Sequence, residues 1–245
     1  MEFIILRLDA PLVSFGSVLI DQHGPVDRFP GTSMLTGILA NALGWSHGDF
    51  DLLQGLQDRL RYAARWDVAP AHAIDYQTAD LGQEKMRKAG WTTRMEPEYR
   101  KGGDAKRGIA QRYRHYWTDG LMTVALTLDP PGGEPLVTTL LNALSMPARP
   151  LFIGRKACLP SRPLLDPELP LIKAGNALEA LLGIPLWNRY GQKVPGPQRL
   201  EACWPADIDY PDGKFELKKV YDKREWASQL PAGDRIRAEG LMEVD

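Results

Sequence analysis

The chain has 245 residues, 44% hydrophobic and 25% charged, with 30 Lys and Arg balanced by 31 Asp and Glu. That length and composition suit one large soluble globular domain, or one domain with a small appendage. A net charge of −1 excludes a protein that coats nucleic acid indiscriminately, so any such binding has to be local.

Glu2 to Asp9 is apolar enough for a central strand; it is too short, and too interrupted by Glu2, Arg7 and Asp9, for a membrane span, and it lacks the basic start expected of a signal peptide. The loop APLVSFGS follows, with Gly16 free to take a conformation closed to other residues. After the punctuated stretch GPVDRFPG, Thr32 or Ser33 can cap a helix in which Leu35, Ile38, Leu39, Ala42 and Leu43 recur at helical spacing, with Gly44 as its stop. A shorter helix is predicted over 51–60. Tyr62, Ala64, Trp66 and Val68 then alternate with Arg61, Ala63, Arg65 and Asp67, as in a half-buried strand.

Leu81 to Trp117 has little hydrophobic periodicity and carries glycines at 90, 102, 103 and 108. It is read as one long insertion, because a loop of this length inside a domain is usually functional or disordered. LMTVALTL, over 121–128, is another buried strand, and 130–135 is a turn. Leu136, Val137, Leu140, Leu141 and Leu144 mark a helix that ends before Pro147, and 151–153 reads as a short strand running into Gly154, Arg155 and Lys156. Strand, helices, strand, insertion, strand, helix, strand is the ferredoxin-like βαββαβ plan, an α+β fold shared with RNA-recognition modules. Residues 1–156 are the expected RNA-binding domain, with 81–117 inserted in it. Residues 157–245 are a smaller β-containing region packed against it, with a helix over 174–182 and strands over 199–204 and 215–221.

The insertion carries ten Lys or Arg residues against four Asp or Glu, a local charge of +6, interleaved with Trp91, Tyr99, Tyr113, Tyr116 and Trp117. Cations follow a phosphate backbone while flat rings stack on bases, a mixture suited to single-stranded nucleic acid. A solvated basic loop has the same composition. A second candidate is the loop Phe152 to Cys158, where Gly154 permits close backbone approach and Arg155 and Lys156 can hold phosphate.

The sequence lacks HExxH, paired CxxC, GxGxxG, GxxxxGKS and GxSxG motifs, so it points to no cofactor and no metal. Cys158 and Cys203 lie in no metal-ligand spacing and read as reduced structural thiols of a cytoplasmic protein. The histidines at 23, 47, 72 and 115 are scattered along the chain. Metal-free RNA cleavage needs a base, an acid and a cation, and Tyr113, His115 and Tyr116 with Lys106 and Arg107 can supply those roles. The same residues also serve passive RNA contact.

Six blocks in order, ILRLDAPLVSFG, DRFPGTSMLTGILANALG, DYQTADLG, RYRHYWTDGLMTVALTL, FIGRKACLPSRPLL and KREW, resemble the family-five Cas subunits of type I-E Cascade, members of the RAMP superfamily of CRISPR proteins. The resemblance implies a modified ferredoxin-like, RRM-like RAMP fold whose long basic insertion is a thumb. It implies a non-catalytic subunit that caps the 5′ handle of CRISPR RNA in antiviral defence. The implied partners are the Cascade backbone subunit, the large subunit that reads the protospacer-adjacent motif, and target DNA in the assembled complex. The alternative is a metal-independent endoribonuclease processing precursor RNA, as related subunits do in the type I-C branch. By position, the implied RNA contacts are Ser14, Phe15 and Gly16 after the first strand, Arg28 in the R-F-P entry, and Tyr76 and Thr78 in D-Y-x-T. Trp91, Arg94, Tyr99, Arg107, Arg112 and Arg114 follow in the thumb and its return, and Gly154, Arg155 and Lys156 in the G-R-K loop.

Overall fold

The computed structural model describes residues 1–80, 90–91, 97–98, 109–210 and 214–244. In chain order it has β1 (Glu2–Asp9), β2 (Leu12–Val13), β3 (His23–Gly24), α1 (Thr32–Leu43), α2 (Phe50–Arg59), β4 (Leu60–Val68) and β5 (Ala71–Asp80). A two-residue pair, β6 (Gly90–Trp91) and β7 (Pro97–Glu98), precedes β8 (Ile109–Thr118), β9 (Leu121–Leu128) and α3 (Val137–Ser145). The rest comprises β10 (Leu171–Lys173), α4 (Ala177–Leu182), β11 (Gln198–Pro205), β12 (Phe215–Val220), β13 (Arg224–Glu225), β14 (Leu230–Pro231) and β15 (Arg235–Val244).

Seven strands form one sheet in the order β10-β1-β9-β4-β11-β15-β12, and every neighbouring pair is antiparallel. The α+β expectation therefore holds as a mixed fold built on a large antiparallel sheet. Because side chains alternate across a strand, the sheet buries both faces. Ile4, Leu6, Leu8, Tyr62, Ala64, Trp66, Met122, Val124 and Leu126 pack with Leu35, Ile38 and Leu39 of α1 and Leu140 and Leu144 of α3. Phe3, Ile5, Ala63, Ala125, Ala202, Trp204 and Ala238 pack on the other side with Leu178 and Leu181 of α4.

Charges are also buried there, and each is paired. Arg7 meets Asp166 with both side chains 1% exposed. Arg65 is fully buried against Asp67 and donates to the carbonyls of Leu181 and Ile184 at the end of α4. Unpaired carbonyls at a helix end need such donors.

The structure corrects four sequence expectations. Residues 151–153 form no strand: Pro147, Pro150, Pro160 and Pro163 remove amide donors around them, Gly154 turns at φ 97°, and the strand beside β1 is β10. Residues 109–117, read without hydrophobic periodicity, are a regular strand, β8, which pairs along its whole length with β5. β15 went unread because charged residues and Gly240 break its apolar pattern. A side chain at 240 would meet Lys214 O at 2.4 Å and Phe215 Cα at 2.8 Å, so only glycine lets β12 lie against it. Finally, neither Thr32 nor Ser33 caps α1. Its first amide, Thr32 N–H, donates to Asp222 at 3.0 Å from the far end of the chain.

Candidate nucleic-acid interface

The β4–β9 ladder leaves the core and continues as β5–β8, with Val68 opposite Leu121 and then Ala71 opposite Thr118. The chain turns between β8 and β9 at Asp119, φ 58°, and at Gly120. A side chain at 120 would lie 2.6 Å from the Trp66 ring and 2.8 Å from Pro70, so glycine allows the two hairpin segments to pack closely at this bend. A two-stranded ribbon is only marginally stable by itself. Here β2 runs antiparallel and β3 parallel along the free edge of β8.

The loops singled out from the sequence meet at this edge. Ser14 N–H donates to Ile153 O at 3.1 Å, Asp27 N–H donates to Phe15 O at 2.9 Å, and Gly16 bridges to Val26. Gly154 lies so close that a Cβ there would sit 1.9 Å from Ser14 O. Arg155 locks the junction by donating to His115 O at 2.8 Å and Gly24 O at 3.1 Å, with its guanidinium 4.9 Å from the centre of the buried Tyr116 ring. Cys158 is buried beneath this turn, and burial pushes its thiol above the ordinary value. Burial pushes the Cys203 thiol up to about 12; both cysteines are free.

The two faces of the ribbon differ. Residues directly opposite each other in a ladder share a face. One face carries His72, Ile74, Tyr76 and Thr78 from β5 with Gln111, Tyr113, His115 and Trp117 from β8. Tyr76 is 51% exposed, with its ring 5.0 Å from that of Tyr113. His23 of β3 stacks on Tyr113 at 4.7 Å with an interplanar angle of 9°. Three of the four histidines, scattered in sequence, thus lie in a row: His72 Nε2 is 3.0 Å from His115 Nδ1, and His115 Nε2 is 3.3 Å from His23 Nδ1. Desolvation, and then repulsion from His72, His23 and Arg155, hold His115 below the ordinary histidine pKa. The opposite face presents Arg112 and Arg114, both exposed.

The predicted contacts fall into distinct groups. Ser14, Gly16, Gly154 and Arg155 are brought together, but the Phe15 ring is fully buried beside Trp66, 5.8 Å between ring centres, and can offer a ligand only its backbone. Arg28 is paired with Glu201 and lies 4.8 Å over the Trp117 ring. Arg112, Arg114 and Lys156 are exposed cations, with Arg112 also donating to Asp21 O at 3.0 Å. Tyr76 and Thr78 are exposed on the imidazole face. Trp91 lies in β6, paired with Pro97, while Arg94, Tyr99, Arg107 and Lys106 lie outside the described residues. Sequence reasoning missed His23 and His72. The available signal was parity: His72, Ile74 and Tyr76 alternate as Tyr113, His115 and Trp117 do. Among the described residues no group of His, Cys, Asp and Glu is arranged to hold a metal ion, and no helix is long and apolar enough to cross a membrane.

Residues 3–237 match the model of the family described as CRISPR-associated protein (Cas_Cas5). The chain belongs to this family. The resemblance read from the six sequence blocks is thus borne out. The Cascade subunit CasD of the CRISPR system of Escherichia coli (strain K12) is 29% identical over 189 residues, 74% of this chain and 76% of that one. The fold is shared with a chain of a CRISPR RNA-guided surveillance complex, at TM-score 0.64 and 22% identity, covering 99% of this chain and 89% of the other. A crystal structure of a Cas protein matches at TM-score 0.60 and 24% identity over 98% of this chain and 93% of that one.

Proposed function

We propose that this chain is a non-catalytic subunit of a type I-E Cascade surveillance complex and holds the 5′ handle of CRISPR RNA on the β5–β8 ribbon. The observation that carries this reading is the ribbon itself, in a member of this family. An open Tyr76–Tyr113–His23 stack lies on one face and Arg112 and Arg114 on the other. A single strand crossing the ribbon stacks bases on the rings while its phosphates reach the guanidinium groups. Gly16 leaves backbone open at the ribbon base, Gly154 lets the Ser14 backbone close against it, and Lys156 adds a cation there. Arg155 supports this surface through its bonds to two carbonyls.

In this reading β10-β1-β9-β4 with α1 and α3 is the ferredoxin-like, RRM-like RAMP unit, the region from 157 onward completes it, and the ribbon is the base of the thumb. The tip meets the backbone subunit in the cytoplasm, and the large subunit docks nearby for target DNA recognition. Strand order and helix placement support the assignment.

Binding of labelled repeat RNA across a salt series tests the proposal. Arg112→Ala with Arg114→Ala should weaken binding and reduce the log–log salt slope by about 0.7 for each phosphate that is no longer neutralised. Tyr76→Ala with Tyr113→Ala should weaken binding with the slope kept, at about 1–3 kcal/mol for each stacked base. Unchanged affinity in both variants removes the ribbon from the site.

The histidine row favours one second reading, the metal-independent endoribonuclease, because adjacent imidazoles can act as acid and base. Repeat RNA incubated with the protein in EDTA should stay intact. Specific cutting that disappears in His115→Ala would establish that alternative.

A further inference from the structure

The histidine row has a property that none of its rings has separately. Each neutral imidazole has one N–H and one bare nitrogen. The row contains six ring nitrogens, of which four face each other in the two contacts, His72 Nε2 to His115 Nδ1 and His115 Nε2 to His23 Nδ1. Each contact needs one proton between its two nitrogens. Three neutral rings supply three protons, so two fill the contacts and the third sits at one end, on His72 Nδ1 or His23 Nε2. The other end is then a bare acceptor, which repels phosphate oxygen. One added proton makes both ends donors and spreads a positive charge along the row. A second added proton would put two hydrogens into one contact and break it.

We propose that the His72–His115–His23 row is a phosphate-binding subsite of the RNA face that works only when it has taken up one proton, so that RNA is held more tightly as pH falls. This rests on the RNA-binding reading above. The row lies on the same face as the Tyr76–Tyr113 pair, and His23 is itself the top of that stack. A base stacked there brings its phosphate toward the imidazoles. Among the described residues, the titratable and charged groups around the row are Tyr113 beside His115 on β8, Tyr76 against Tyr113 on β5, Arg155 bonded to the His115 carbonyl, and Arg28 over the neighbouring Trp117. Burial, and then repulsion from His72, His23 and Arg155, hold the central ring, His115, below the ordinary histidine value. A bound phosphate favours the charged form and raises the titration range. The gain in affinity is therefore complete on the acid side and is lost as pH rises through the range of the RNA-bound row.

The test is the affinity for labelled repeat RNA, by fluorescence anisotropy between pH 5.5 and 8.0 at fixed ionic strength. Wild-type protein should bind about two- to fivefold more tightly at pH 5.5 than at pH 8.0, the effect of one exposed charge pair, with no more than one proton taken up per RNA bound. The triple variant His23→Gln, His72→Gln, His115→Gln should bind independently of pH, whereas His47→Gln should behave as wild type. In ¹⁵N imidazole spectra of the wild-type protein, the three rings should titrate in one shared step that RNA moves to higher pH. Tight binding with no pH dependence, uptake of two or more protons, or three independent ring titrations overturns the subsite but leaves the RNA-binding reading standing. Absence of RNA binding at every pH overturns both.

Discussion

The β4–β9 and β5–β8 ladders are one continuous hairpin, yet they are built for opposite purposes. All eight residues of β9 are buried, whereas most of β8 is exposed or only half-buried. In the sheet, apolar contacts on both faces fix the strands, and even Arg65 is buried with its partners. In the ribbon, the ladder is held at its edge by β3 and by Arg155. The core is held by its own apolar contacts, with Tyr116 of β8 reaching into it, whereas the rest of the ribbon is held by the core-anchored loops. Chemistry that meets a ligand is kept where burial is not the source of stability.

The comparison can be broken first in the core. Arg65→Met leaves Asp67 buried without its partner and the α4 carbonyls without a donor, which should cost about 3–5 kcal/mol in denaturant unfolding. At the junction, Gly154→Ala places a methyl group against Ser14 O in a left-handed conformation. It should cost about 2–3 kcal/mol and weaken RNA binding, since it parts the two loops. In the ribbon, Arg155→Ala should cost about 1–2 kcal/mol locally, read as faster amide exchange in β3 and β8 while β1 and β9 keep their protection. Equal loss of protection in both ladders would show that they are one cooperative unit.

The smallest effect concerns Asp222. Burial by itself would raise its pKa, but the Arg235 guanidinium and the Thr32 amide hold it below the ordinary carboxylate value. A carboxylate lowered by folding stabilises above its unfolded value near 4, and that contribution disappears as pH falls through the folded value. Asp222→Asn should cost about 1 kcal/mol at neutral pH and flatten the fall in stability below about pH 4. A steeper acid transition in the variant would contradict this assignment.

The sequence made the core legible because its signals are apolar and periodic. β1 and β9 are strongly apolar, and α1 and α3 repeat leucine at helical spacing. The ribbon was hidden because His72, Ile74 and Tyr76 alternate with Ala73, Asp75 and Gln77, so that neither face is apolar throughout. Ser14 and Gly154 could each be picked out as loop positions. Their contact depends on a backbone approach between residues 140 apart, which no local pattern encodes. The histidine row likewise depends on the register of β3, β5 and β8.

The cap of α1 is supplied from 190 residues downstream, and this sets an order of events during translation. At about 5–20 residues per second, the helix waits roughly 10–40 s after leaving the ribosome before Asp222 follows it out. The β4 edge is also open through most of that interval, because β11 has not been made. An unpaired strand edge is a template for pairing with other chains. The nascent first half of this protein therefore carries an open pairing edge until the last strands close it as a clasp.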